Sequence, residues 1–177
     1  KDISGVAEAV DVERNFELIS KLHPNIKNLL IINDKSITGL AVKKDLTKII
    51  EKYKKEFDIE YTDNLEISDL KTKVSNLEKG NSAILFVLLF KDTTGKYFTY
   101  KQSFEEVRKV SKVPIYGLWD FYLNSGMVGG LLTSAVAQGQ TVSKMAIEVL
   151  NGKDIKDIPV VEESPNIYIF NYNELKR

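Results

Sequence analysis

Eight consecutive apolar residues, AILFVLLF at 83 to 90, constrain the fold of this chain more than any other stretch. A strand with one wet face alternates apolar and polar residues, so an unbroken run must be covered on both faces, as in a parallel sheet. NLLII at 28 to 32 repeats the pattern. Between the two runs, Leu46, Ile49, Ile50, Tyr53 and Phe57 recur at helical spacing, and Ile67, Leu70, Val74 and Leu77 do so again, with charges on the opposite faces. These stripes read as crossover helices.

The alternation continues on both sides. Val12, Phe16, Ile19 and Leu22 form another helical stripe, closed by His23 and Pro24. Ser103 followed by Glu106 has the spacing of a capping box before FEEVRKV, KVPIYGL reads as a strand, and Gly80 and Gly152 stand where helix C-caps belong. The expected fold is α/β, a Rossmann-like three-layer αβα lobe with a mainly parallel sheet, in one unit over 1–177. Gly139 predicts a break in the helical pattern after Gly130. The tail predicts one or two short strands around Ser164, Pro165 and Asn166.

Composition narrows function mainly by exclusion. With 43% hydrophobic residues in 177, the chain can bury a sound core. Its 25 basic and 25 acidic residues cancel, which argues against a nucleic acid or an anionic membrane surface as partner. No cysteine and one histidine leave no thiolate chemistry and no multi-histidine metal site, and neither a metal nor a cofactor is expected. No apolar run approaches the length of a bilayer span.

Ligands of open parallel sheets settle at the carboxyl ends of the strands. The loops there are NDKSITG, KDTTGKYFTY and WDFYLNSGMVGG. Asn33, Asp34, Ser36 and Thr38 can bind a ligand or simply cap a helix and shape a turn. Asp92, Thr93, Thr94 and Gly95 read more readily as an ordinary turn. Tyr97, Phe98 and Tyr100 form either a stacking surface or a flap on the core. Trp119 beside Asp120 is the sharper signal, because an indole face and a carboxylate together suit an amine-bearing small molecule, although a lone tryptophan also serves as a core or hinge residue. GMVGG lacks the spacing and lysine of a phosphate loop, and its glycines suit a chain crossing between lobes. His23 has no evident catalytic partner and no catalytic residue is assigned.

GVAEAVDVERNFELISKLHPNIKNLLIIND, PIYGLWDFYLNSGMVGGLLTSAVAQGQTVSKMAIEVLNGKDIKDIPVV and SPNIYIFNYNELKR together resemble the substrate-binding family of ABC transporters, within the periplasmic-binding-protein superfamily. The branch that the chain most resembles forms extracytoplasmic sensor regions of bacterial signalling proteins such as histidine kinases and diguanylate cyclases. The resemblance implies a type I fold of two Rossmann-like lobes closing on a small molecule, possessing no enzymatic activity of its own. It implies that the chain is mainly the C-terminal lobe, with about 1–14 and 127–152 as hinge or crossing segments. An N-terminal lobe and downstream signalling domains would lie outside it, as would a membrane anchor, and apolar surface meant for the absent lobe would let the fragment pair as a homodimer. The implied ligand-binding residues are Asn33, Asp34, Thr38, Phe90, Asp92, Trp119 and Asp120, with Gly126, Gly129 and Gly130 at the crossing. The implied ligand is an amino acid or amine. A solute-binding component of a transporter is the alternative, and an enzyme on a Rossmann-like fold a lesser one.

Overall fold

In the computed structural model, which describes residues 2–177, six strands form one sheet. They are β1 (Asn28–Ile32), β2 (Asp58–Thr62), β3 (Ser82–Phe86), β4 (Ile115–Gly117), β5 (Gly129–Leu132) and β6 (Ile167–Phe170), in the order β2-β1-β3-β4-β5-β6. β1 to β5 are parallel, and β6 closes the edge antiparallel to β5.

Both faces are covered, as the apolar runs require. On one side α1 (Val12–Leu22) and α2 (Ile37–Tyr53) bring Phe16, Ile19, Val42 and Leu46 against Leu29, Ile31, Ala83 and Leu85. On the other, α3 (Ile67–Ser75) and α4 (Tyr100–Val110) bring Leu70, Val74, Phe104 and Val107 against Leu30, Ile32, Ile84 and Phe86. Successive strand residues point to opposite faces, so each run feeds both cores. A type α/β, three-layer lobe is therefore what the chain forms.

Four local expectations change. The long apolar run is a strand only to Phe86, and Val87 to Leu89 continue as a buried connection, with the Val87 amide donating to the Ile32 carbonyl at 2.8 Å. α4 begins before Ser103: Thr99 caps it and Gln102 completes the box, while the Ser103 hydroxyl donates to carbonyls within the first turn. α5 (Ala135–Leu150) runs unbroken through Gly139, whose surroundings are open. α3 stops at Ser75, well before Gly80, although Gly152 does follow the end of α5.

The strands after the second core are held by polar clamps. Asn15, fully buried on α1, donates to the Leu131 carbonyl and accepts from the Leu131 amide, both at 2.9 Å, which fixes β5 to the helix layer. Arg108 on α4 makes two bonds of 2.9 and 2.8 Å to Glu174 on the short α6 (Tyr172–Leu175), and so ties the tail to the sheet. α5 differs from every other long helix, because none of its side chains is buried.

Candidate functional site

The strand order reverses between β1 and β3, which opens a crevice at their carboxyl ends. Asp34 spans it. One carboxylate oxygen accepts from the Phe90 amide at 2.6 Å and the other from the Ser36 amide at 2.9 Å, so the loops after β1 and β3 are strapped together. Asn33 beside it donates to the Gly39 carbonyl at 2.9 Å and to the Tyr61 hydroxyl at 3.1 Å. Ser36 caps α2 by accepting from the Gly39 amide, and Thr38 is exposed in the first turn of that helix.

Asp92 is likewise turned inward. It accepts from the Thr94 amide and hydroxyl and the Lys96 amide through one oxygen, and from the Ile67 amide at the start of α3 through the other. Asp92→Ala is expected to lower stability by about 1–2 kcal/mol through the lost turn and cap, roughly 2–8 °C in Tm by calorimetry. The Thr94 hydroxyl foremost, with the backbone amides, holds this carboxyl below its ordinary value of 3.8. The stabilisation is therefore whole above that value and is lost as the pH falls through the folded one.

The surface that faces outward is aromatic. Phe90 meets Tyr100 edge-on at 4.6 Å between centroids, Tyr100 meets Phe121 at 4.3 Å, and Phe121 lies nearly parallel to Trp119 at 6.1 Å, with 20° between the planes. Phe121 and Tyr100 are 44% and 45% exposed, whereas Trp119 is only 8% exposed. The indole thus backs the row and its accessible faces belong to its neighbours. Its N–H donates to Glu8 at 2.9 Å, which draws the segment before α1 to the end of β4.

Asp120 opens a 3-10 helix at Asp120–Ser125, between Trp119 and Phe121 in the chain, and is half-buried. Its amide donates to the Thr133 carbonyl at 3.2 Å. Its carboxylate has no cation or hydrogen-bond donor among the described residues. A carboxylate next to the exposed Phe121 in the chain and unmatched among the described residues can receive an ammonium ion.

The glycines have structural duties of their own. Gly126 ends the 3-10 helix at φ 98°, a left-handed conformation. Gly129 and Gly130 lie inside β5 and not in a loop that crosses out of the sheet, and they allow close approach: a Cβ on Gly130 would sit 2.6 Å from Asn15 Oδ1.

The structure thus leaves Phe90 and Asp120 partly exposed at this end of the sheet with Trp119 buried behind them, and uses Asn33, Asp34 and Asp92 to hold the loops. Phe121 and Glu8 escaped the sequence reading. Phe121 stands in the same WDFY stretch as Trp119, and only the 3-10 turn reveals that it faces out while Tyr122 is fully buried against Phe86 and Phe104. For Glu8 the linear sequence holds no signal, since its partner is 111 residues away.

Comparison with known proteins agrees with this architecture. The model of the family described as ABC transporter substrate binding protein matches residues 1–177. A tyrosine-binding protein from Clostridioides difficile is 23% identical over 175 residues, covering 99% of this chain and 49% of its own length. The chain spans about half the length of that curated relative. Among solved structures, the ligand-free, open form of a substrate-binding protein with adhesive properties from Clostridium difficile superposes with a TM-score of 0.71 at 20% identity, over 98% of this chain and 57% of that one. An ABC domain from Streptococcus pneumonia in complex with L-Trp gives 0.66 at 19% identity, over 98% and 57%.

Proposed function

The chain belongs to the ABC transporter substrate-binding protein family, and from that premise we propose that it is the C-terminal lobe of an extracytoplasmic solute-binding protein whose ligand is an aromatic amino acid or a closely related amine. The observation that carries this reading is the row Phe90, Tyr100, Phe121 and Trp119 beside the unmatched carboxylate of Asp120. Offset or edge-on aromatic contact would hold the side chain of the ligand, and Asp120 its ammonium group. Thr38 and the first turn of α2 lie on the same strand-end side and suit its carboxylate.

A second lobe, outside the described residues, would complete the cleft. Of the segments expected as connections toward it, about 1–14 and 127–152, the start of α1 and β5 belong to this lobe, which leaves residues 2–10 and α5 for that role, and ligand binding would favour the closed arrangement of the two lobes. The relatives named above are described by what they bind, which supports a solute-binding component over the signalling sensor. No helix among the described residues is long and apolar enough to cross a membrane.

Calorimetric titration of the intact protein with L-tyrosine, L-tryptophan, L-phenylalanine, L-leucine and 4-hydroxyphenylacetate tests the proposal. The aromatic amino acids are expected to bind with Kd on the order of micromolar, and loss of the ammonium group to weaken binding by about 10-fold or more. Equal affinity for leucine, or for the compound without nitrogen, would refute the aromatic-amine assignment.

A further inference from the structure

A second concavity lies at the opposite end of the sheet, between the C-terminus of α1, the N-terminal ends of β3 and β4, and α6. Its volume is about 490 Å³, within the roughly 300–1,000 Å³ usual for small-molecule sites. Leu22, Pro24, Val113 and Leu175 give it apolar walls, and both leucines leave much of their surface exposed. Lining it are also His23 and the fully buried Tyr116, whose Nε2 and hydroxyl are 2.6 Å apart, with the two rings edge to face at 5.8 Å.

The charge around this cavity is unbalanced. Lys79, Lys112 and Arg177 line it; the two lysines have no ion-pair partner among the described residues, whereas Arg177 reaches Glu174 at 3.7 Å and donates to the Ser111 carbonyl at 3.2 Å. The carboxylate present, Glu174, is already bound twice by Arg108. Whichever of the two groups donates in this bond, the Nδ1 of the neutral His23 ring has no partner among the described residues. Burial holds the imidazole below its ordinary value and so favours this neutral form.

We propose that this cavity is a second ligand site, distinct from the aromatic edge, for a small organic anion with an apolar body such as an arylalkyl carboxylate. The body occupies the space between Leu22, Pro24 and Leu175, and the carboxylate lies between Lys79, Lys112 and the His23 ring. The apolar walls alone would admit a neutral compound as readily. The unmatched lysines select the acid.

4-Phenylbutyrate titrated into the intact protein, with the His23 ring signals followed by NMR and assigned through His23→Gln, is the direct test. The acid is expected to shift those signals saturably, 4-phenyl-1-butanol to bind about 10-fold or more weakly, and the Lys79→Glu, Lys112→Glu double variant to lose a similar factor. Both lysines are exposed, so the charge reversal leaves the fold intact. L-tyrosine is expected not to displace the acid. An absent or unsaturable His23 shift would overturn the proposal, as would equal affinities for acid and alcohol or an unaffected double variant.

Discussion

Gly129→Ala is expected to destabilise the lobe by about 3 kcal/mol or more, a fall in Tm of roughly 6–12 °C for a chain of this size. Gly129 has φ of 140°, where an L side chain is strained. The larger effect comes from the partner strand. A Cβ there would sit 2.2 Å from the Ile169 carbonyl oxygen and 2.8 Å from Phe170 Cα, both backbone atoms of β6 that cannot turn aside. The added methyl therefore forces β5 and β6 apart, and with them the pairing of Gly129 with Phe170 through Leu132 with Ile167. Calorimetry or urea unfolding of the variant would show the loss. A Tm within 2 °C of the parent, a shift of roughly 1 kcal/mol or less, would mean that the edge strand yields and contributes little to the lobe.

Asp120→Asn is expected to weaken aromatic amino acid binding by roughly 10- to 100-fold, the usual worth of a hydrogen-bonded charge pair, with no comparable change in stability. The separation follows from its surroundings, because the carboxylate has no partner within the lobe that the change would orphan. A surface substitution free of such ties stays within about 0.5 kcal/mol. Titration calorimetry and thermal unfolding of the same sample distinguish the outcomes. A large fall in Tm with ligand affinity unchanged would make Asp120 a structural residue and remove the ammonium site from this end of the sheet.

The core of the fold was legible because burial on both faces leaves a mark on consecutive residues, as at NLLII. β2 left none. DIEYT is an edge strand with no fully buried side chain, and its alternation rests on two apolar residues only, Ile59 and Tyr61, too short a pattern to separate a strand from a loop. The helix start at Thr99 was missed for a different reason: Ser103 and Glu106 satisfy the same spacing as Thr99 and Gln102, and only backbone geometry distinguishes them. At the site, residue type identified which side chains are polar but not which way they turn. Asp34 and Asp120 both follow strands, yet the first is consumed by two backbone amides and the second by none. The aromatic character of the surface was visible at Trp119, whereas its accessible part, Phe121, depends on the phase of a single 3-10 turn.

An isolated helix of 16 residues is marginal in water, and its persistence in a protein rests on packing. α5 has almost none here. It is tied at its first turns by the Ser134 cap and by Gln138, which donates to the Ala7 carbonyl and the Ser164 hydroxyl, while Val142, Ile147 and Leu150 remain exposed. Within these residues the later turns carry less local stabilisation than the sheet, so their backbone amide protons are expected to exchange through local fraying without the lobe unfolding. The helix is a reservoir of unspent order, and whatever covers its apolar side gains the ordering of three turns together with the buried surface.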